Sequence, residues 1–547
     1  MTRSMVSWLE RHGALTCVLV VVAFVALVRL RVGSVPLERD EGEYAYAGQL
    51  ILRGIPPYLH VYNMKFPGTY YAYALILAIF GETPLGIHTG LLLVNAATTL
   101  VVFAIGRRIA GDAFGAVAAV TFAILSVDRS VLGVFAHATH FVLLPALGAL
   151  LILLRDPHSR TLRRVFGGGA LLGLAVLMKQ HAVFFVPLAA GLLVVDARSG
   201  DAPGRGALGR EFGALALGAT VPLVAISLLF LAQGVLPNFW FWTIRYAAAY
   251  VTEVPLWAAP QIFTGAWAFI TLNTLPFWIV AGAGLVALWA TPWSVRARVF
   301  VTGLLAASFL ALCPGFFFRP HYFILILPAV AFLVGVAFVA SSRFLVRVVS
   351  PALAVGLAAV AFGVVTATYA IPEREYLFTM SPGAVSRAIY GVNPFVEAPE
   401  IAEYIRERTE QGDRIAVLGS EPEIFFYADR LSATGYVYTY PLVEGQPYAA
   451  RMQEEMIREI QSTGPKYLVF VEVDPSWLVG RQSNIGVVEW GNRYANQCYD
   501  LVGIADMADP AGTTMLWDEA VRGYEPVARN VVYTFRKKDD RPCSIAP

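Results

Sequence analysis

The sequence predicts a polytopic α-helical membrane protein carrying a C-terminal extracytoplasmic α/β domain. Three observations predict it. The 547-residue chain is 57% hydrophobic and only 15% charged, with a mean hydropathy of +0.60, whereas soluble domains carry about 25% charged residues. The deficit is uneven: residues 14–370 form nearly continuous apolar blocks, and 372–547 read as ordinary soluble sequence. The Lys and Arg of the apolar part are also one-sided along the chain. A net charge of +2 hides that sidedness. There is no basic run or aromatic–basic interleaving of the kind that marks a nucleic-acid binder.

A membrane helix needs about 20 apolar residues. On that basis the transmembrane domain, 1–371, is expected to hold eleven spans: 13–31, 88–106, 113–130, 136–154, 166–180, 181–195, 212–232, 264–289, 299–316, 322–340 and 349–370. The first block is followed by RLRVGSVPLERDE, charged and without a small-residue cleavage site, so it reads as an uncleaved span. The segment 66–80 is apolar but short. It is expected as an outer-leaflet helix within a long first loop.

Charge sidedness supports this arrangement, because cytoplasmic loops carry the Lys/Arg excess. Fifteen of the 24 Lys and Arg before residue 372 fall at predicted inner positions. Counting 66–80 as a span would invert every later loop. An odd number of spans leaves the N-terminus cytoplasmic and the C-terminal domain outside a plasma (inner) membrane. The exceptions are Arg29, Arg31, Arg39, Arg53, Lys65, Arg129, Lys179, Arg245 and Arg319, at outer span ends or in outer loops. Charge near the bilayer is costly unless paired or solvated. Arg29 and Arg31 are placed to snorkel; the others suggest a cation-rich outer cavity.

The second domain, 372–547, alternates helical and strand patterns. PEIAEYIRERTEQG (399–412) and AARMQEEMIREIQSTG (449–464) read as helices, the latter stopping at Gly464. RIAVLG (414–419), KYLVFVEV (466–473) and NVVYTFRKK (530–538) read as strands. Helices interleaved with apolar strands argue a small α/β layer domain. It lacks a glycine-rich phosphate loop. Cys17 and Cys313 fall in apolar blocks, as small packing residues. Cys498 and Cys543 could pair if the domain is outside.

Candidate chemistry gathers in the outer segments. ERDEGEYAYAGQLILRGIPPY (38–58) holds Asp40, Glu41 and Glu43, with Tyr44 beside them. Asp40 and Glu43, three apart, resemble a capping box for a helix ending near Arg53–Gly54. A capped carboxylate is also fixed in space, as a general base must be. NMKFPG (63–68) places Lys65 before a Tyr-rich helix, either snorkelling or meeting a phosphate. MKQHAV (178–183) breaks an apolar stretch with Lys179, where the positive-inside rule disfavours a lysine. FFFRPHYFILILP (316–328) sets Arg319, His321 and Tyr322 at the mouth of a span, and arginine can hold phosphate bidentately. DRSVLGVFAHATH (128–140) adds Asp128, His137 and His140. The two histidines share a helix face, and a divalent metal there is possible but not favoured without a thiolate or an evident third ligand. Arg245 lies in the aromatic WFWTIRYAAAY (240–250). Carboxylates on one loop and cations at several span ends suit a base that activates a hydroxyl while cations receive a departing phosphate.

The pattern resembles the GT-C membrane glycosyltransferases, specifically glycosyltransferase family 39 with the protein O-mannosyltransferases and lipid A aminoarabinose transferases. The resemblance covers roughly 10–345. It rests on RDEGEY (39–44), KFPG (65–68), GRR (106–108), MKQ (178–180) and RPHYFILILP (319–328). It implies Asp40 as the base with Glu41 as its partner, and Lys65 and Lys179 as donor-phosphate ligands together with Arg319 and Tyr322. It also implies a polyprenyl-phosphate sugar donor, a lipid, glycan or protein acceptor, and no required cofactor. Two departures stand out. Phe66 replaces the first proline of the family's Lys-Pro-Pro, and HATH (137–140) stands where an acidic position opens the fourth span, leaving Asp128 as the nearest acid. The rival reading is a transporter or lipid-handling protein that binds an anionic lipid-linked sugar without turnover. Transporters tend to show repeats and broken midplane helices, which the sequence does not display.

Overall fold

The structure is a computed structural model that describes residues 3–155, 157, 160–198, 205–480, 483–508, 512–539 and 543–546, with the backbone alone for 3–12, 205 and 206. Its helices run, in chain order, α1 (Arg3–Arg31), α2 (Arg39–Leu52), α3 (Gly68–Phe80), α4 (Pro84–Ala110), α5 (Asp112–Leu125), α6 (Ala138–Leu153), α7 (Leu162–Met178), α8 (Phe185–Arg198) and α9 (Arg205–Ala232). An interrupted helical stretch covers 236–250. Then follow α10 (Ala259–Thr271), α11 (Leu275–Ala290), α12 (Val295–Leu312), α13 (Leu327–Leu345) and α14 (Pro351–Ala370). The chain divides into two compact units. The first comprises Met1–Gly33, His88–Leu228 and Val254–Met380; the second comprises Ser34–Ile87, Leu229–Glu253 and Ser381–Pro547.

Each predicted span overlaps helix, and the chain is a multi-pass helical membrane protein. Among the described residues, seven helices are long and apolar enough to cross a bilayer: Gly13–Arg31, Pro84–Ala110, Gln180–Arg198, Ala207–Ala232, Val295–Leu312, Pro320–Leu345 and Pro351–Ala370. Helices α5 and α6 are shorter apolar elements, as is α3. The predicted span 264–289 is not one helix. It is α10 and α11, bent by 110° at a break after Thr271. Pro276, in the first turn of α11, has no N–H to donate and restricts the residue before it, which favours a new helix start over continuation.

In the first unit the helices approach through small residues, as membrane helices do when no hydrophobic drive separates lipid from protein. A Cβ on Gly169 of α7 would lie 2.2 Å from the Leu215 carbonyl oxygen of α9, and one on Gly218 would lie 2.1 Å from that of Phe166. Gly106 and Gly115 bring α4 against α5 in the same way. Phe114, Phe300 and Phe332 fill the interior. Long aliphatic side chains such as Leu27, Leu228 and Val360 remain exposed, as suits a lipid-facing surface. Cys17 is exposed on α1, so it does not pack as a small core residue; Cys313 is half-buried.

In the second unit a six-stranded sheet has the order β2-β1-β3-β6-β4-β5. Its strands are β1 (Arg414–Leu418), β2 (Leu431–Ser432), β3 (Tyr467–Glu472), β4 (Tyr499–Ala508), β5 (Gly512–Trp517) and β6 (Val531–Lys537). β1 pairs in parallel with β2 and β3, and the remaining pairs are antiparallel. The predicted strands are β1, β3 and β6; the β4–β5 hairpin is an addition. Helices α15 (Ala398–Glu407), α16 (Glu423–Ala428), α17 (Ala449–Thr463) and α18 (Gly486–Cys498) accompany the sheet. α17 buries Met452, Met456 and Ile460, a stripe at helical spacing. It ends at Gly464, whose φ of 58° is the left-handed cap that glycine adopts without strain. Cys498 and Cys543 form a disulfide with Cα atoms 5.9 Å apart.

Candidate functional site

Helix α2 organises the second unit's cluster of charge. Its capping box lies two positions earlier than the sequence suggests. Glu38 is the N-cap, and its carboxylate accepts from the Glu41 N–H at 2.8 Å, while the Glu41 side chain reaches back to the Glu38 N–H. Asp40 and Glu43 are therefore not the capping pair. Three apart on one helix face, they meet Lys65, whose Nζ donates to Asp40 Oδ1 and to Glu43 Oε2, both at 2.7 Å. The same ammonium lies 4.6 Å from the Tyr44 ring centroid and 5.1 Å from that of Tyr438. Glu43 is fully buried. It also accepts from Asn63 Nδ2 at 2.8 Å and from the Tyr70 hydroxyl at 2.5 Å.

Burial pushes the Glu43 carboxyl above its ordinary range, against the opposing pull of Lys65. For Lys65, burial works against the charge, and the Asp40 and Glu43 carboxylates more than offset it, so its pKa is raised. The cluster is thus a lysine locked in its charged form, two carboxylates aligned on it, and an aromatic wall. Arg245 lies on the π-helical turn Phe241–Tyr246, exposed and without an ion pair among the described residues.

The first unit gathers a second set, at two breaks in its helices. α7 ends at Met178, Lys179 is extended, and a 3-10 turn, Gln180–Phe184, leads into α8. The other break follows α12. Arg319 is extended, and the 3-10 segment Pro320–Ile326 leads into α13. Lys179 Nζ sits 4.3 Å over the Tyr322 ring. His181 meets the same ring edge-on at 5.0 Å and hydrogen-bonds the Ala311 carbonyl through Nδ1 at 2.8 Å. His321 contacts Tyr322 at 4.8 Å and stacks on His137 at 4.3 Å. Arg319 lies 5.4 Å from the Phe317 ring. Lys179, Tyr322, His321 and His137 therefore form one contiguous cluster, with His181 as a member that the sequence did not single out.

Asp128 and His140 are engaged elsewhere in this unit. Asp128 caps the 3-10 turn Arg129–Val131 through the Ser130 N–H at 2.9 Å. His140 is buried in the first turn of α6 and hydrogen-bonds the Gly133 backbone. It is His321, not His140, that stacks on His137.

Besides His181, three residues of these clusters escaped the sequence reading. Asn63 sits inside the NMKFPG motif and Tyr70 inside the Tyr-rich helix, so a buried polar partner for Glu43 could have been sought there. Tyr438 carries no local signal; only the folding of the second unit brings it to Lys65.

The overall fold finds counterparts among solved structures. A sequence profile of the dolichyl-phosphate-mannose-protein mannosyltransferases matches residues 65–203. Among solved structures, ArnT from Cupriavidus metallidurans bound to undecaprenyl phosphate superposes with a TM-score of 0.58 at 16% identity, covering 96% of this chain and 98% of that one. The apo state of ArnT gives 0.56 at 16% identity, with the same coverage. The archaeal oligosaccharyltransferase AglB from Archaeoglobus fulgidus, in complex with an inhibitory peptide and a dolichol-phosphate, gives 0.53 at 13% identity over 95% of this chain and 75% of that one. No curated protein sequence matches. The chain has the GT-C fold of membrane glycosyltransferases, as the sequence motifs implied.

Proposed function

We propose that this protein is an inverting glycosyltransferase that moves a sugar from a polyprenyl-phosphate donor to a hydroxyl of a lipid, glycan or protein acceptor on the extracytoplasmic face. The observation that carries this reading is the Asp40–Lys65–Glu43 cluster on the capped start of α2, in a chain of GT-C fold. Asp40 takes the proton of the acceptor hydroxyl. The acceptor oxygen bonds to the anomeric carbon as the bond from that carbon to the phosphate oxygen breaks, and polyprenyl phosphate leaves with the electron pair. Lys179 and Arg319, with Tyr322 beneath the lysine, are assigned to the departing phosphate, and Arg245 to the donor's outer approach. Lys65 keeps Asp40 aligned and has one further N–H for the phosphate. Glu41 acts by closing the cap that fixes the first turn. No cofactor is required, so turnover is expected to persist in a chelator.

Undecaprenyl phosphate and dolichol-phosphate in relatives of the same fold support a lipid-linked donor. The disulfide supports an oxidising, extracytoplasmic location for the sheet domain, with the N-terminus cytoplasmic. The test is release of undecaprenyl phosphate from a panel of undecaprenyl-phosphate-linked hexoses and pentoses by membranes bearing wild type, Asp40→Asn or Lys179→Met. Both variants are expected to lose at least 10²-fold, in line with the loss of a general base or an electrostatic stabiliser. Wild-type turnover by a folded Asp40→Asn protein would remove Asp40 as the base. Donor binding by wild type without any release would favour a lipid-handling protein.

A further inference from the structure

Asp40 is flanked on both sides by residues that the sheet domain grips. Arg39 Nε donates to the Ser420 carbonyl at 2.6 Å. Its Nη2 donates to Asn393 Oδ1 and to Glu421 Oε1, both at 3.0 Å. The Phe395 and Tyr440 rings each lie 5.3 Å from the guanidinium. Glu421 is itself fully buried and held: its Oε2 accepts from Ser476 Oγ at 2.6 Å, and that oxygen accepts from the Ser420 N–H at 2.9 Å.

On the other side of Asp40, Gly42 lets α2 touch the backbone of α16. A Cβ there would lie 2.5 Å from the Glu423 nitrogen and 2.8 Å from its Cα. Two more ties bracket the turn. The Leu37 N–H donates to the Tyr427 hydroxyl at 2.9 Å, and the Ser432 N–H donates to that of Tyr46 at 2.8 Å. The first two turns of α2, at positions 39, 42 and 46, and Leu37 before its cap are thus tied to residues 420–432, close to 400 positions later in the chain.

We infer that the Glu421–Arg39 clasp, with the Gly42 contact, is a positioning device for Asp40, which makes the sheet domain part of the catalytic apparatus and not only a platform for the acceptor. The inference rests on the reading of Asp40 as the base. Its physical ground is the steepness of rate with geometry: a misplacement of about 1 Å can cost about 10²-fold. Arg39 precedes Asp40, so any rotation or shift of the first turn moves both. An ion pair used for stability alone can be replaced by apolar side chains with little loss. One used to aim a neighbour cannot, because apolar contacts do not fix the turn in one orientation.

The experiment compares wild type, Glu421→Gln, Glu421→Asp, Arg39→Lys and the double variant Arg39→Met/Glu421→Leu. Each is purified as a monodisperse full chain and assayed with the panel donor that wild type turns over fastest. Expected for Glu421→Gln is a fall in kcat of about 10- to 10²-fold with KM for the donor within about threefold, since an interaction that serves only the transition state lowers kcat and leaves KM. Glu421→Asp is expected to recover part of the loss. The double variant is expected to regain thermal stability and to stay slow. Wild-type kcat in Glu421→Gln, or kcat returning together with stability in the double variant, would overturn the inference. An Asp40→Asn protein of wild-type activity would instead bring down the reading on which it rests; an inactive one beside a fully active Glu421→Gln condemns the clasp alone.

Discussion

Removing the Lys65 ammonium tests how the acidic cluster is held together. Lys65→Met keeps the length of the side chain and deletes its charge. At 2.7 Å and an effective dielectric of ~20, each contact is a gross attraction of ~6 kcal/mol. Desolvation of the ions opposes it, so the net cost of breaking such a pair by truncation is about 3–5 kcal/mol. An independent route gives the same size. Without Lys65 the buried Glu43 takes up a proton, and protonating a carboxyl of ordinary pKa ~4.3 at pH 7 costs about 3.7 kcal/mol at ~1.4 kcal/mol per pH unit.

The sign follows from burial, which raises the folded Glu43 pKa even with Lys65 present. In the variant it rises further. A carboxyl raised in the folded state contributes stability that is full below its unfolded pKa and is lost as pH climbs toward the folded one. The deficit of Lys65→Met should therefore be small near pH 4.5 and large at pH 8. Lys65→Met/Glu43→Gln should regain most of the loss, because Asn63 and Tyr70 still find a side-chain amide while no buried charge remains. The assay is thermal unfolding in one detergent at both pH values, read as differences in a double-mutant cycle. A Lys65→Met protein as stable as wild type at pH 8, or a double variant no better than the single, would refute this account.

Two further outcomes follow from the second unit. Glu423 is fully buried, and burial together with the neighbouring Glu421 charge raises its pKa well above the ordinary value. Its carboxyl therefore holds its proton to a higher pH in the fold than when unfolded, so stability falls as pH rises above ~4.3. Glu423→Gln should flatten that slope and unfold later than wild type at pH 8; an unchanged slope would show that Glu423 is ionised in place. The disulfide closes a loop of 45 residues in sequence, worth about 4 kcal/mol in the chain-entropy description. Cys498→Ser should lower the unfolding temperature of the sheet domain, and Cys498 and Cys543 should resist alkylation until reduced. Equal alkylation before and after reduction would contradict the pairing.

The sequence by itself determined the class of the protein, because the decisive forces there are local. In hydrocarbon each backbone N–H and C=O must be satisfied within its own segment, so a long apolar block has little choice but helix, and each predicted block overlaps helix, although 264–289 breaks into two. Strands β1, β3 and β6 were legible for a similar reason: short runs rich in Val, Ile, Phe and Tyr suit the buried middle of a sheet. The motifs also picked out helix starts and breaks: Asp40, Lys65, Lys179, Arg319 and Tyr322, to which the proposed reaction is assigned, all sit at them.

Tertiary structure decided what depends on distant partners. The capping box could be read in two registers from acids at 38, 40, 41 and 43, and only Lys65 and Asn63, arriving from the next loop, settled that Glu43 faces inward while Glu41 closes the cap. The span at 264–289 had the hydropathy of one helix, yet it folds as two at an angle that neighbouring helices must accommodate. Glu421 carried no signal at all. A glutamate after a strand becomes the holder of Arg39, 382 positions away in the chain, only when the chain between them has folded, and pattern reading cannot supply a contact whose geometry is set by the packing of everything between.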